Sequence, residues 1–485
     1  MIYAVIGIFA ILLLVLILLI RTFRYSRVDV DTSANIPSRI NVETAAQRLG
    51  KAISYQTVST QSSKDFNESE FLNMHQYLEN AFPLIHASLK KEIINDYSLL
   101  YFWEGKDPEL KPVMLTCHLD VVPIEPGTEN EWKYPPFEGK VSEGYIWGRG
   151  AMDVQGGVLA IMEAVEYLLS KEFRPDRTII LGFGHDEEID GERGAQAIGE
   201  TLAQRGIELA CLLDEGTPIV HDVLAELPNP VALVAVAEKG YLSLELSTSA
   251  EGGHSSVPQG LTAIARLSEA IQKLEKNPMN NKVDGLVKQT MTAIGPQMPF
   301  LYRIVMANLW LFGGLVKKEL AAMPATRAAL GTTIATTIFE SGIKENVLPT
   351  QAKAIVNFRI HPNDTIESVI DHVRRTINDP EVRISELPGS INPSQISDVA
   401  ASPYKTLKKT IREVFPDVIV APTLMIGATD ARHYAHLTDN IYRFLPLRAD
   451  EGDLDRVHGT NERLSKENYR EMIEFYIRLI EESAD

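Results

Sequence analysis

Five short stretches of this sequence gather side chains that bind divalent cations and move protons. Cys117-His118-Leu119-Asp120 sets a histidine and an aspartate two residues apart, and on an extended segment both point to the same side. One imidazole nitrogen of His118 is then free for a metal while Asp120 holds the other. Trp147-Gly148-Arg149-Gly150-Ala151-Met152-Asp153 is a turn loosened by glycine that projects Asp153 ahead of a helix. Gly184-His185-Asp186-Glu187-Glu188 lines up three acids behind a strand. A dication would relieve their repulsion, and a solvated acidic turn answers the same pattern. Asp214-Glu215-Gly216 follows another buried strand, and Val457-His458-Gly459-Thr460-Asn461-Glu462 precedes the last helix. Imidazole with carboxylate suits zinc, with manganese or cobalt as substitutes. Two such ions side by side polarise an amide carbonyl and acidify a shared water.

These residues must be carried by alternating strands and helices. Apolar residues at helical spacing predict helices over 42–53, 70–81 and 156–169. Continuous apolar runs at 178–183 and 209–213 read as strands buried on both faces, beside short strands at 98–102 and 113–116. The alternation implies an α/β domain whose candidate ligands gather at one edge of its sheet. The character changes at Glu238. A strand at 241–248 with one wet face is followed by a helix (261–274), two strands (332–340 and 352–360), a helix (366–377) and a strand (382–386). That β-α-β-β-α-β order predicts an inserted α+β, ferredoxin-like domain. The α/β pattern then resumes with a helix at 404–414, a strand at 419–423 and a helix at 467–481. The expected organisation is an anchor (1–26), a linker (27–39), a catalytic domain in two parts (40–238 and 392–485) and a lid (239–391). The lid contains an apolar insertion at 277–327, where Met298, Phe300, Leu301, Ile304, Val305, Leu309, Trp310, Leu311 and Phe312 cluster. Its apolar residues fit lid packing, a channel for an acyl chain, or a surface that touches a bilayer.

Of 485 residues, 65 are acidic and 47 basic, for a net charge of -18. No basic stripe is available to neutralise phosphates, so a nucleic-acid partner is excluded. Cys117 and Cys211 each lie in an apolar run and read as buried thiols, with no disulfide framework. Residues 2–20 are uncharged and apolar, and about 20 such residues cross a bilayer. No basic residue precedes them and no small-residue cleavage site follows directly, which predicts an uncleaved single-pass anchor. Arg21, Arg24 and Arg27 follow the span and place the enzyme in the cytoplasm. Asn67-Glu68-Ser69 and Asn363-Asp364-Thr365 match glycosylation acceptors on the opposite side, and the side stays open.

HLD, GRGAMD, HDEE, LLDEG, GGHSSVP, NVLP, NFRIHP, GATDAR and HGTNE occur in that order. On these motifs the sequence is identified as a member of the dizinc metallopeptidase family of aminoacylase-1, carboxypeptidase S and glutamate carboxypeptidase. It most resembles carboxypeptidase S and the N-fatty-acyl-amino-acid synthase/hydrolase, through VALVAVAEKG, NLWLF and TDNIYRFLP. The resemblance covers residues 43–483 and implies a zinc-exopeptidase-like catalytic domain, a dimerisation lid, a homodimer and two zinc ions per subunit. It assigns His118, Asp153 and Asp214 to one zinc, and Asp153, Glu188 and His458 to the other. Glu187 is implied as the general base acting on a metal-bridging water, and Asp120 as the orienter of His118. A cis peptide is implied after Asp153. In the lid, His254 resembles the histidine that reaches a neighbouring subunit's site and stabilises an oxyanion. Asn346, Arg359, Gly427 and Thr429 resemble substrate contacts. A guanidinium suits a terminal carboxylate, although Arg359 fits a structural ion pair as well. Ala428 replaces the usual second glycine of GATDAR, and Asp190 stands where glycine is common. The implied activity is cleavage, reversible in principle, of N-acyl amino acids. The alternative is a carboxypeptidase or dipeptidase with the same dizinc chemistry.

Overall fold

In the computed structural model, eight strands lie side by side in the larger sheet. Their order is Lys90–Ile94, Ser98–Trp103, Ile179–Gly184, Val113–His118, Cys211–Val220, Ile441–Ala449, Val231–Glu238 and Ile419–Met425. The structure describes residues 2–25, 38–62, 65–221, 227–258, 260–279, 283 and 285–483. Arg27 and most of the expected linker lie outside them. Pairing in the sheet is mixed. Val113–His118 runs parallel to both neighbours, and Cys211–Val220 runs parallel to Ile441–Ala449. The C-terminal ends of three adjacent strands therefore meet at one edge, which carries His118, the 185–188 turn and the Asp214 segment.

The continuous apolar runs are explained by burial on both faces. Leu99, Tyr101, Leu115, Ile179 and Leu181 belong to the core on one side, and Leu100, Met114, Ile180 and Leu212 to the core on the other. The helices Gln155–Ser170 and Lys466–Ser483 pack on each other over the first face. Burying each large aliphatic side chain in this way stabilises by about 1.5–3 kcal/mol.

The smaller sheet has the order Thr333–Ser341, Gln351–Ile360, Gly240–Ser249, Arg383–Glu386, antiparallel throughout. Helices Ala263–Lys276 and Ile366–Ile377 close one face over Leu242, Leu244, Leu246, Val356 and Phe358. This is the ferredoxin-like order. A capping box at Thr365 starts the second helix and left-handed Asn378 ends it.

The structure differs from the sequence pattern at several elements. Asp214 does not follow a strand but lies inside Cys211–Val220. The strand continues because Gly216, at φ 154°, lets the chain pass Arg443, whose Cβ is 2.7 Å from where a Gly216 side chain would begin. Lys90–Ile94, Val231–Glu238 and Ile441–Ala449 are strands that the patterns missed. Ile441–Ala449 hides behind Arg443, a fully buried guanidinium paired with Glu238 at 3.0 Å. The insertion forms helices Gly285–Ile294, Phe300–Ala307, Leu309–Leu320 and Pro324–Ala329. The first covers the edge strand Ile419–Met425, where the Thr290 hydroxyl donates to Pro422 O at 2.6 Å. Ile2–Arg24 is one helix, long and apolar enough to cross a bilayer.

Candidate metal centre

The chain order scatters four potential ligands that the sheet edge reunites. His118 closes its strand, and Asp153 sits in the turn before Gln155–Ser170. Glu188 lies in the single turn Glu187–Ile189, and His458 in the loop before Arg463–Ser465. Asp153 faces both histidines, with Oδ1 at 3.3 Å from His118 Nε2 and Oδ2 at 3.0 Å from His458 Nε2. Glu188 Oε2 lies 3.3 Å from the same His458 nitrogen. Ligand atoms of His118, Asp153 and Glu188 all fall within 4.8 Å of one another. The peptide between Asp153 and Val154 is cis, as the resemblance implies.

These residues fit a divalent cation. Glu188 Oε1 is buried with no hydrogen-bond partner among the described residues, a state that costs about 1–3 kcal/mol or more unless a cation or donor meets it. His118 Nδ1 donates to the Asp120 carbonyl at 2.9 Å, which leaves Nε2 with its lone pair toward the cluster. Asp153 offers one carboxylate oxygen to each histidine.

Two buried carboxylates hold these parts in place. Asp120 is fully buried, with Oδ1 3.4 Å from His118 Nδ1. Its two oxygens also accept the backbone N–H groups of Glu187 and Glu188, each at 3.2 Å. One side chain therefore sets both the His118 ring and the acidic turn. Glu462 was singled out only as part of the last motif, and its role was missed. Its Oε1 accepts from Met152 N at 2.8 Å and Asp153 N at 3.2 Å, while Oε2 pairs with Arg149 Nη1 at 2.6 Å. Arg149 Nη2 then donates to the carbonyls of His458 and Gly459 at 3.0 and 3.2 Å. This pair ties the Asp153 turn to the His458 loop.

The electrostatics report dense negative charge. Burial pushes Glu187 up to about 8, opposed by His118 and reinforced by Asp120, Glu188 and Asp153. Its Oε2 is 3.9 Å from His118 Nε2. Burial also lifts Asp214 to about 6. Glu215 and Asp430 are held well above the usual carboxylate range, through burial and then the neighbouring carboxylates. Hydrogen bonds that His458 donates to Asp153 and then Glu188 hold its imidazole up to about 10. Asp214 accepts from Glu215 N at 2.9 Å and Ala431 N at 2.7 Å. Asp430, another residue not singled out, has both oxygens buried without a hydrogen-bond partner among the described residues.

The remaining candidates lie elsewhere. His254 is exposed, and its Nδ1 accepts the Ser256 hydroxyl at 2.8 Å. Asn346 O receives Ser255 N at 3.2 Å, so these two belong to one lid corner. Arg359 lies over the Tyr241 ring at 4.9 Å. Thr429 is buried, with its hydroxyl between Glu238 (3.3 Å) and Arg443 (3.2 Å). Gly427 lines an apolar cavity of about 450 Å³ with Thr217, Leu286, Met291, Ile294 and Leu320. Among the described residues no hydrogen bond joins these candidates to the metal cluster.

An α/β sheet with such a cluster at its edge and an inserted α+β domain fits a metal-binding hydrolase. The chain belongs to the M20 peptidases: the model described as "Peptidase family M20/M25/M40" matches residues 114–482. It is 42% identical to "Probable carboxypeptidase S-like 2" of Dictyostelium discoideum over 96% of this chain and 91% of that one. It is 41% identical to "N-fatty-acyl-amino acid synthase/hydrolase PM20D1" of Xenopus tropicalis over 90% of this chain and 85% of that one. The fold is shared with the M20 family metallo-carboxypeptidase Sso-CP2 of Sulfolobus solfataricus, with a TM-score of 0.65 at 17% identity, covering 91% and 99% of the two chains. The protein is accordingly a metal-dependent hydrolase of amide or peptide bonds.

Proposed function

We propose that the protein cleaves, and in reverse forms, the amide bond of N-acyl amino acids with long apolar acyl chains, held to a membrane by Ile2–Arg24. The cavity carries this reading. Its wall is almost wholly apolar and includes Thr217, three residues along the strand that bears Asp214. A volume near 450 Å³ is in the range of small-molecule sites. Two zinc ions are the proposed cofactors, one held by His118, Asp153 and Asp214 and the other by Asp153, Glu188 and His458. Zinc there supplies Lewis-acid polarisation of the amide carbonyl and a more acidic water.

The chain's own groups do the rest. Glu187, buried beside the cluster, takes a proton from the attacking water and returns it to the departing amine nitrogen. Asp120 keeps His118 and the Glu187 backbone in register. Arg359 and Asn346 on the lid are assigned to the amino-acid carboxylate, and in a homodimer each His254 serves the neighbouring site.

Each buried methylene adds about 0.8 kcal/mol, so kcat/KM for a series of N-acyl leucines should rise about tenfold for every two carbons until the cavity fills. Steady-state hydrolysis of acetyl to oleoyl substrates, beside a set of dipeptides, is the test. A flat response to chain length, or faster dipeptide cleavage, would replace this reading with a carboxypeptidase or dipeptidase, which the carboxypeptidase S-like relative favours.

A further inference from the structure

The N-terminal helix does not hang free of the protein. Near its end, Arg21 Nε donates to Ala307 O at 3.3 Å, and Asn308 Nδ2 donates to Leu18 O at 3.4 Å. The Tyr25 hydroxyl sits 3.0 Å from Met291 O and 2.9 Å from Thr292 O, and Phe23 packs on Phe300 with ring centres 6.0 Å apart. The apolar helix therefore leaves the protein from the insertion. Beside that exit, Phe300–Ala307 and Leu309–Leu320 meet at a 111° bend around buried Asn308. Their outer side is apolar and solvent-facing: Leu301 is 74% exposed, Trp310 59% and Leu315 52%, with Leu311 next to them.

Length decides what this surface can do. Twelve helical residues extend about 18 Å, short of the roughly 30 Å hydrocarbon layer, so neither helix crosses it. A bent amphipathic pair of this size lies in the interface plane. Charge points the same way. Residues 285–320 carry Lys288, Arg303, Lys317 and Lys318 against Glu319 alone, in a chain of net charge -18. Arg21 and Arg24 stand at the same exit. A locally basic, aromatic and aliphatic surface, continuous with a span-length apolar helix, matches an anionic bilayer surface.

We propose that Phe300–Leu320 is a second membrane contact, seated at the headgroup–acyl boundary of the leaflet that Ile2–Arg24 enters. Its consequence is proximity. The helix Gly285–Ile294 has Tyr25 against its Met291 and Thr292 carbonyls, while Leu286, Met291 and Ile294 line the apolar cavity. The helix that holds the anchor is thus also part of the cavity wall, which brings the acyl cavity close to the proposed membrane contact. The proposal rests on the anchor reading of Ile2–Arg24.

The test uses the full chain in phosphatidylcholine–phosphatidylserine proteoliposomes. Trp103, Trp132 and Trp147 are buried, so subtracting the emission of Trp310→Phe from wild type isolates Trp310. Brominated acyl chains should cut that component about twofold or more, because an interfacial helix buries its apolar face 5–10 Å deep. Aqueous iodide should hardly touch it. Leu301→Glu with Leu311→Glu should abolish the bromine quenching while the protein still resists alkaline carbonate. Quenching of Trp310 by iodide alone overturns the proposal, and so does shielding from both quenchers, the result expected if a second copy covers the patch. Release of wild type by carbonate would instead condemn the anchor reading, whereas resistance to carbonate without bromine quenching condemns only the second contact.

Discussion

Glu462→Gln tests whether the metal loops are held by a buried charge pair. Glu462 and Arg149 have 0% and 3% of their side chains exposed, and their closest atoms are 2.6 Å apart. Glutamine keeps the volume but cannot keep the bonds. With its amide nitrogen toward Arg149, two donors face each other. Flipped, the nitrogen confronts the N–H groups of Met152 and Asp153, which now donate to Oε1. In either rotamer the guanidinium is left buried without its anion, a loss of about 3–5 kcal/mol. At about 2–4 °C per kcal/mol for domains of this class, the catalytic domain should melt on the order of 10 °C earlier. The same change frees the Asp153 turn and the His458 loop from each other, so zinc affinity should fall as well. Differential scanning calorimetry with metal content measured on the purified variant provides the assay. In a double-mutant cycle, adding Arg149→Met should destabilise less than the sum of the single changes, because it removes the stranded charge. Strict additivity, or a Glu462→Gln protein with native melting and full metal, would refute the reasoning.

Asp120→Asn removes the charge that grips His118 and the backbone at 187–188, and should lower zinc affinity about 10–100-fold; unchanged affinity in competition with a chelating dye would count against that role. Glu187→Gln should lower kcat by roughly 10²–10⁴ with metal stoichiometry intact, since proton transfer is lost but no ligand is; near-native kcat would sink the general-base assignment. His185 is packed among Phe66, Phe71 and Tyr97 and shares a 2.6 Å hydrogen bond with Ser98. Burial depresses it from 6.5 to about 4. The unfolded chain therefore takes up the proton first as pH falls, and stability worth about 3 kcal/mol drains away between pH 6.5 and 4. His185→Gln should flatten that part of the pH–stability curve in urea melts, and parallel curves for the two proteins would contradict it.

What could be read from the sequence follows the range of the interactions. Helices such as Val42–Ile53 and Ile366–Ile377 carry their own period and caps, so their bounds match the pattern residue for residue. His118, Asp153, Glu188 and His458 stood out because each sits in a short motif with glycines or neighbouring acids. The insertion resisted reading because its helices are short. The break at Asn308 resets the helical phase, so composition alone does not separate buried Val316 and Leu320 from exposed Leu301 and Trp310. The Glu238–Arg443–Thr429 group was illegible for a different reason. Its members are 205 and 14 positions apart along the chain, each in a different motif, and no single motif shows that they pair. They meet only because Ile441–Ala449 lies beside Val231–Glu238 in the sheet. That order matters for the site. Thr429 precedes Asp430, with its two unpartnered oxygens, and Ala431, whose N–H holds Asp214 at 2.7 Å. The place of one candidate ligand thus goes with a buried ion pair on the next two strands, whose Arg443 lies directly opposite Asp214 in the sheet. A motif that stops at LLDEG cannot contain it, because the partner is fixed by strand order rather than by spacing.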